Sequence, residues 1–112
     1  MKKERVIMDY LKVIKALSNK TRFNILLWLK DPKANFGEFG WKPHNEEEDS
    51  KNFVCVGYIK EKAGQSQSTV SEHLSVLDKA GLLRSWKIGQ WTLYARDEEA
   101  IDSIKKYINE KL

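Results

Sequence analysis

Residues 54–95 read VCVGYIKEKAGQSQSTVSEHLSVLDKAGLLRSWKIGQWTLYA, and the fold follows from how this stretch divides. Its first part, Val54 to Ala63, places Val56 and Ile59 on one side of a short predicted helix. Gly64 and Gln65 then turn the chain. Ser66 offers a side-chain oxygen to the free N–H groups of a second helix, Gln67 to Lys79. Val70, Leu74 and Leu77 form the apolar stripe of that helix, and Gly81 suits a left-handed stop behind it. Leu82–Lys87 and Gln90–Ala95 alternate apolar, aromatic and polar residues around Ile88-Gly89, which predicts a β-hairpin.

At about 100° per residue, Gln67, Ser68, Ser71, Glu72 and Ser75 fall together, opposite the apolar stripe. A helix face turned to water is ordinarily filled with Lys, Glu and Arg. Serines lower helix propensity, so this face reads as one that is used. A helix-turn-helix carries the first turns of its second helix into the major groove of DNA. Short side chains that both donate and accept can meet base edges there. The candidate DNA-contacting residues are therefore Ser66, Gln67, Ser68, Thr69, Ser71, Glu72 and His73, joined from the hairpin by Arg84, Lys87 and Gln90. A basic-edged ribbon beside such a helix can follow phosphates, and Arg96 lies next to it. Trp86, Trp91 and Tyr94 read as packing residues that seal the strands against the helices.

Outward from this unit, Val6, Tyr10, Val13 or Ile14, and Leu17 give an amphipathic helix over Arg5–Leu17. Ser18 or Asn19 can cap the next one, Lys20 to about Lys30. Phe23, Ile25, Leu26, Leu27 and Leu29 make that helix apolar nearly all round, as in a central core helix, and Pro32 ends it. Residues 31–53 read as an irregular loop insertion, acidic and rich in aromatics (Phe36, Phe39, Trp41, Phe53). A last helix runs from about Glu98 to the C-terminus, with Ile101, Ile104 and Ile108 on one face. Asp97, Glu98 and Glu99 open it, and Lys105, Lys106 and Lys111 follow, as the helix dipole favours. The expected fold is mainly α with a small β-hairpin wing, in the order α-α-α-α-β-β-α, as a single domain over residues 1–112.

The chain has 112 residues and a formal charge of +4. Asp31 to Phe53 holds three lysines against six acids, a net −3, so the remainder carries +7. A basic body with one acidic loop fits a phosphate-bearing partner. The charged opening, Met1 to Arg5, is followed by no apolar leader core, and no apolar run approaches the roughly 20 residues of a membrane span, so a cytoplasmic location without a membrane partner is expected.

Four separated motifs carry a family resemblance: Lys15-Ala16-Leu17-Ser18-Asn19-Lys20-Thr21-Arg22; Gly64 through Leu74; Leu77-Asp78-Lys79-Ala80-Gly81-Leu82-Leu83; and Gly89-Gln90-Trp91 with Tyr94. Together they resemble the ArsR-type (arsenic-repressor-like) winged helix-turn-helix regulators, over essentially the whole chain apart from residues 31–53. The resemblance implies a homodimer built through its first and last helices. It further implies a repressor that binds an inverted-repeat operator in double-stranded DNA and leaves it on binding an inducer, often a metal ion. It assigns base contact to Gln67, Ser68, Ser71 and Glu72. Glu72 departs from the family, where basic residues or His are usual; a carboxylate there either accepts from cytosine N4 or repels phosphate.

The metal-binding features of that family are incomplete here. Where it has Cys-Val-Cys, this chain has Cys55-Val56-Gly57, and residues 97–112 contain no His. One thiolate does not make a site that needs three or four ligands, so neither a metal nor a cofactor is expected. His44 beside Glu46, Glu47, Glu48 and Asp49 reads as a solvated acidic loop. Cys55 reads as a small hydrophobe, with a redox-sensing thiol as the other reading. The inducer stays open between an organic ligand, oxidation at Cys55, and none. A winged helix that serves as a protein-interaction module without DNA binding is the alternative function. An enzyme is not expected, since Ser71 and His73 do not face each other on a helix and no phosphate-cradling glycine loop is present.

Overall fold

Five of the helices begin on a short side chain that accepts a backbone N–H three residues ahead, and these caps set the chain's punctuation. Asp9 accepts from Lys12, Asn19 from Arg22, Asp31 from Ala34, Ser66 from Thr69 and Asp97 from Ala100, at 3.0–3.2 Å. The structure is a computed structural model that describes residues 8–37 and 52–112. Its elements are α1 (Tyr10–Leu17), α2 (Lys20–Lys30), α3 (Pro32–Phe36), β1 (Val54–Cys55), α4 (Val56–Ala63), α5 (Gln67–Lys79), β2 (Leu83–Ile88), β3 (Trp91–Arg96) and α6 (Glu98–Lys111).

Three helix boundaries differ from the sequence expectation. The first helix starts at Tyr10 because Asp9 caps it; Arg5–Ile7 lie outside the described residues. Pro32 does not open a loop. Asp31 closes α2 and caps α3, and Pro32 takes the first helical position, where its missing N–H costs nothing. The remainder of the expected insertion, 38–51, including Trp41, His44 and the acidic run, lies outside the described residues. The helix expected from Val54 begins two residues later, since Val54 and Cys55 pair antiparallel with Tyr94 and Leu93. The order is therefore α-α-α-β-α-α-β-β-α, and the wing is part of a three-stranded sheet ordered β1-β3-β2.

The hairpin is shifted by one residue from its expected bounds. Ile88 pairs with Trp91, so Gly89 and Gln90 form the two-residue turn. Gly89 has φ +60° and Gln90 does not, the type II′ pattern that matches the twist of paired strands.

The main core joins α1 (Val13, Ala16), α2 (Ile25, Leu26, Leu29), α4 (Ile59), α5 (Val70, Leu74, Leu77) and α6 (Ile101, Ile104) around Leu82. Helix α2 buries only part of its apolar surface, for Phe23 and Leu27 stand half exposed. The sheet separates this core from a smaller cluster of Phe53, Leu93 and Ala95, with Cys55, Trp86 and Ile88 packed against it. Among the described residues no helix is long and apolar enough to cross a membrane.

Candidate nucleic-acid interface

The turn before α5 is held at both ends. Gly64 takes the left-handed conformation (φ 67°, ψ 29°) and closes α4 by donating to Lys60 O. Gln65 Nε2 then donates to Thr21 Oγ1 at 3.0 Å, tying the turn to the first turn of α2. Ser66 Oγ accepts from Thr69 N and donates to Thr69 Oγ1 at 2.9 Å. Ser66 and Thr69 are thus occupied with each other and form the cap itself.

Past the cap, α5 is contacted by α1, α2, α4 and β2, and a polar strip is left open. Gln67, Ser68, Ser71 and Glu72 are exposed, whereas Ser75, expected beside them, is half-buried. Among the described residues no hydrogen-bond partner engages the side chain of Gln67, Ser71 or Glu72. Ser68 Oγ has only a long contact, 3.4 Å, to Ser66 Oγ. The strip presents an amide, two hydroxyls and a carboxylate, a mixed donor and acceptor set suited to base edges.

His73 points elsewhere. It is half-buried, with Nδ1 3.2 Å from a guanidinium nitrogen of Arg22 on α2. Burial lowers its pKa below the ordinary 6.5; the Arg22 charge lowers it further, and Glu72 opposes both. Arg22 is the residue that sequence reasoning left without a role. Its partner stands 51 positions away, and no local pattern signals such a contact. Tyr94, packed on the main core, has its pKa raised by burial and by Asp78.

The hairpin divides its candidates between two faces. Cross-strand pairing sets Arg84 with Ala95 and Lys87 with Thr92. Residues three apart on a strand point to opposite sides, so Arg84 and Lys87 do not share a face. Arg84 lies over the Phe53 ring at 5.4 Å, on the side of the small cluster. There it lines a cleft of about 720 Å³ with Leu29, Lys30, Asn52 and the start of α6. Lys87 and Gln90 are exposed toward the tip. Arg96 is not a free cation. It makes two 2.9 Å hydrogen bonds to Glu98 and reaches Leu26 O at 3.3 Å, which joins β3, α6 and α2. Trp86 is a packing residue, edge-on against Phe53 with centroids 5.5 Å apart, but in the small cluster and not against the helices. Trp91 does not pack in this way: it is 55% exposed at the tip of the wing, across from Ile88.

Cys55 is half-buried on β1, beside the small cluster, as a small hydrophobe would be. Among the described residues no three His, Cys, Asp or Glu side chains gather where they could share a metal ion.

Comparison with known proteins places this arrangement. Residues 50–85 match the family model described as bacterial regulatory protein, arsR family. Over 105 residues, 94% of this chain and the whole of the other, the sequence is 39% identical to the HTH-type transcriptional regulator YbzH of Bacillus subtilis (strain 168). Among solved structures, the transcriptional regulator HlyU of Vibrio vulnificus CMCP6 is 25% identical with a TM-score of 0.55, over 91% of this chain and 86% of that one. A crystal structure of an ArsR family transcriptional regulator matches in fold with a TM-score of 0.66 at 16% identity, over 94% and 92% of the two chains.

Proposed function

The chain belongs to the ArsR family of bacterial regulatory proteins, a family of winged helix-turn-helix transcriptional regulators and not of enzymes, and from that premise we propose that it is a homodimeric repressor whose α5 reads an inverted-repeat operator. Gln67, Ser68, Ser71 and Glu72 meet base edges in the major groove. Ser66 and Thr69 hold the helix start against the backbone, and Lys87 and Gln90 follow phosphates from the wing. Arg84 and Arg96, engaged elsewhere, stay out of the contact set, and an inducer releases the complex. The observation that carries this reading is the open polar strip on the first two turns of α5, where the Gln67, Ser71 and Glu72 side chains have no hydrogen-bond partner among the described residues.

The dimer is supported by apolar surface on the two terminal helices. Leu11 is 78% exposed, and Ile14, Ile108 and Leu112 are exposed as well. Tyr10 and Tyr107 stack at 3.8 Å with planes 9° apart and lock α1 to α6. Leaving this much aliphatic surface in water is unfavourable for a small domain, and a two-fold partner would cover it. Half-sites about 34 Å apart, one helical turn, would then match the two copies of α5.

The test is selection of bound fragments from genomic DNA with the purified full chain, followed by gel shifts on the recovered fragment. A two-fold footprint, and a preference over scrambled duplex of the same composition, are the expected results. Equal affinity for both would overturn the reading.

A further inference from the structure

The Arg22 side chain makes three contacts that join three parts of the fold, α1, α5 and its own α2. Its Nε donates to Ala16 O at 2.7 Å and one terminal nitrogen to Lys15 O at 3.4 Å. These carbonyls are in the last turn of α1, where the helix dipole favours a cation; Lys15 O also accepts from Ser18 N and Ser18 Oγ. Arg22 itself sits in the first turn of α2. The remaining terminal nitrogen meets His73 Nδ1, on α5, at 3.2 Å.

A guanidinium is a donor only and stays charged at any physiological pH. Nδ1 must therefore be the acceptor, which leaves the imidazole neutral with its proton on Nε2. Adding a proton to Nδ1 would set N–H against N–H and cation against cation. The charged groups acting on the ring are Arg22 from α2 and Glu72 on α5 itself; α1 contributes the Lys15 and Ala16 carbonyls that hold Arg22 in place. His73 follows one residue after Glu72 and two after Ser71, so whatever fixes it fixes the open strip.

We propose that Arg22 and His73 form the joint that sets the recognition helix against the α1–α2 corner, so that operator recognition requires a neutral His73. The proposal rests on the DNA-binding reading above and deepens it. His73 is a positioning residue acting through α5, and not a phosphate contact as its place in the sequence suggests. A site that reads base edges has to be held to within roughly half an ångström, and a joint that opens on protonation removes that constraint. The lowered pKa of His73 agrees with a fold built around the neutral ring.

The experiment measures the dissociation constant of the full chain on its selected operator and on scrambled duplex from about pH 8 to 5.5. It uses wild type, His73→Asn and Arg22→Met, with thermal melts of each. Asn places an amide oxygen close to where Nδ1 stands and does not titrate. Wild type should lose operator affinity on acidification by about fivefold or more, while His73→Asn keeps its affinity and shows a flat profile. Arg22→Met should discriminate poorly at every pH. If that variant does not fold, imidazole nitrogen NMR of wild type supplies a second readout, resolvable with two histidines in the chain, and should report the Nε2–H tautomer at neutral pH. Affinity that rises on acidification would assign His73 to a phosphate and overturn the proposal. So would identical profiles for wild type and His73→Asn, or an Nδ1–H tautomer. Absence of any operator preference at pH 8 would instead sink the DNA-binding reading itself.

Discussion

Gln65 donates from Nε2 to Thr21 Oγ1, and the other end of the same amide, Oε1, is the buried side-chain polar atom that lacks a partner among the described residues. One hydrogen bond therefore ties the Gln65 side chain, and with it the turn that aims α5, to α2, with nothing behind it on the acceptor side. Thr21→Val keeps the shape and removes the acceptor, leaving the amide unsatisfied at both ends. A loss of about 1–3 kcal/mol is expected. In a thermal melt that is a fall of roughly 4–8 °C per kcal/mol for a domain near 100 residues, whereas Thr21→Ser should melt close to wild type.

Gln67 and Ser71 stand exposed on the open strip of α5. Replacing either with Ala should cost about 1–3 kcal/mol on the operator and little on scrambled duplex. Gel shifts on both duplexes measure this, and an equal loss on the two would remove these residues from base reading.

Lys87 and Arg84 make a paired control, since they lie on opposite faces of one strand. Lys87→Ala should weaken binding to every sequence alike and reduce the slope of log affinity against log salt by about 0.9. Arg84→Ala, whose side chain lies over Phe53, should leave that slope unchanged. Binding titrations at several salt concentrations distinguish the two.

Leu11 is the most exposed residue of α1 in the apolar set. Leu11→Glu should shift the chain from dimer to monomer in sedimentation, because a carboxylate buried across a two-fold axis would meet its own copy. Operator affinity should fall with it. A wild type that already sediments as a monomer at micromolar concentration would contradict the dimer.

His73 also predicts how stability varies with pH. Its folded pKa lies below the ordinary 6.5, so between the two values the unfolded chain binds a proton that the folded chain refuses. Stability from this group is fully present above pH 6.5 and is lost as pH falls through the folded pKa. Denaturant melts of wild type and His73→Asn should diverge over that window, with wild type losing more.

The sequence alone determined the features that depend on neighbours three or four residues away. Ser66 caps the helix it was read to cap, Asn19 is the one of the Ser18–Asn19 pair that caps α2, and Val70, Leu74 and Leu77 are the buried stripe of α5. Gly89 sits in the wing turn, one residue from where the alternation centred it. These readings rest on side-chain reach and helical period, which a linear pattern records. Tertiary structure decided whatever needed a partner distant in the chain. Val54 and Cys55 became a strand only because Tyr94 and Leu93 offer an edge. Arg96 was drawn to Leu26 O on α2, Arg84 was turned to Phe53, and His73 was drawn from the groove-facing set to Arg22. Pairing energies of that kind depend on which surfaces meet after collapse, so nothing within a few residues of each position encodes them.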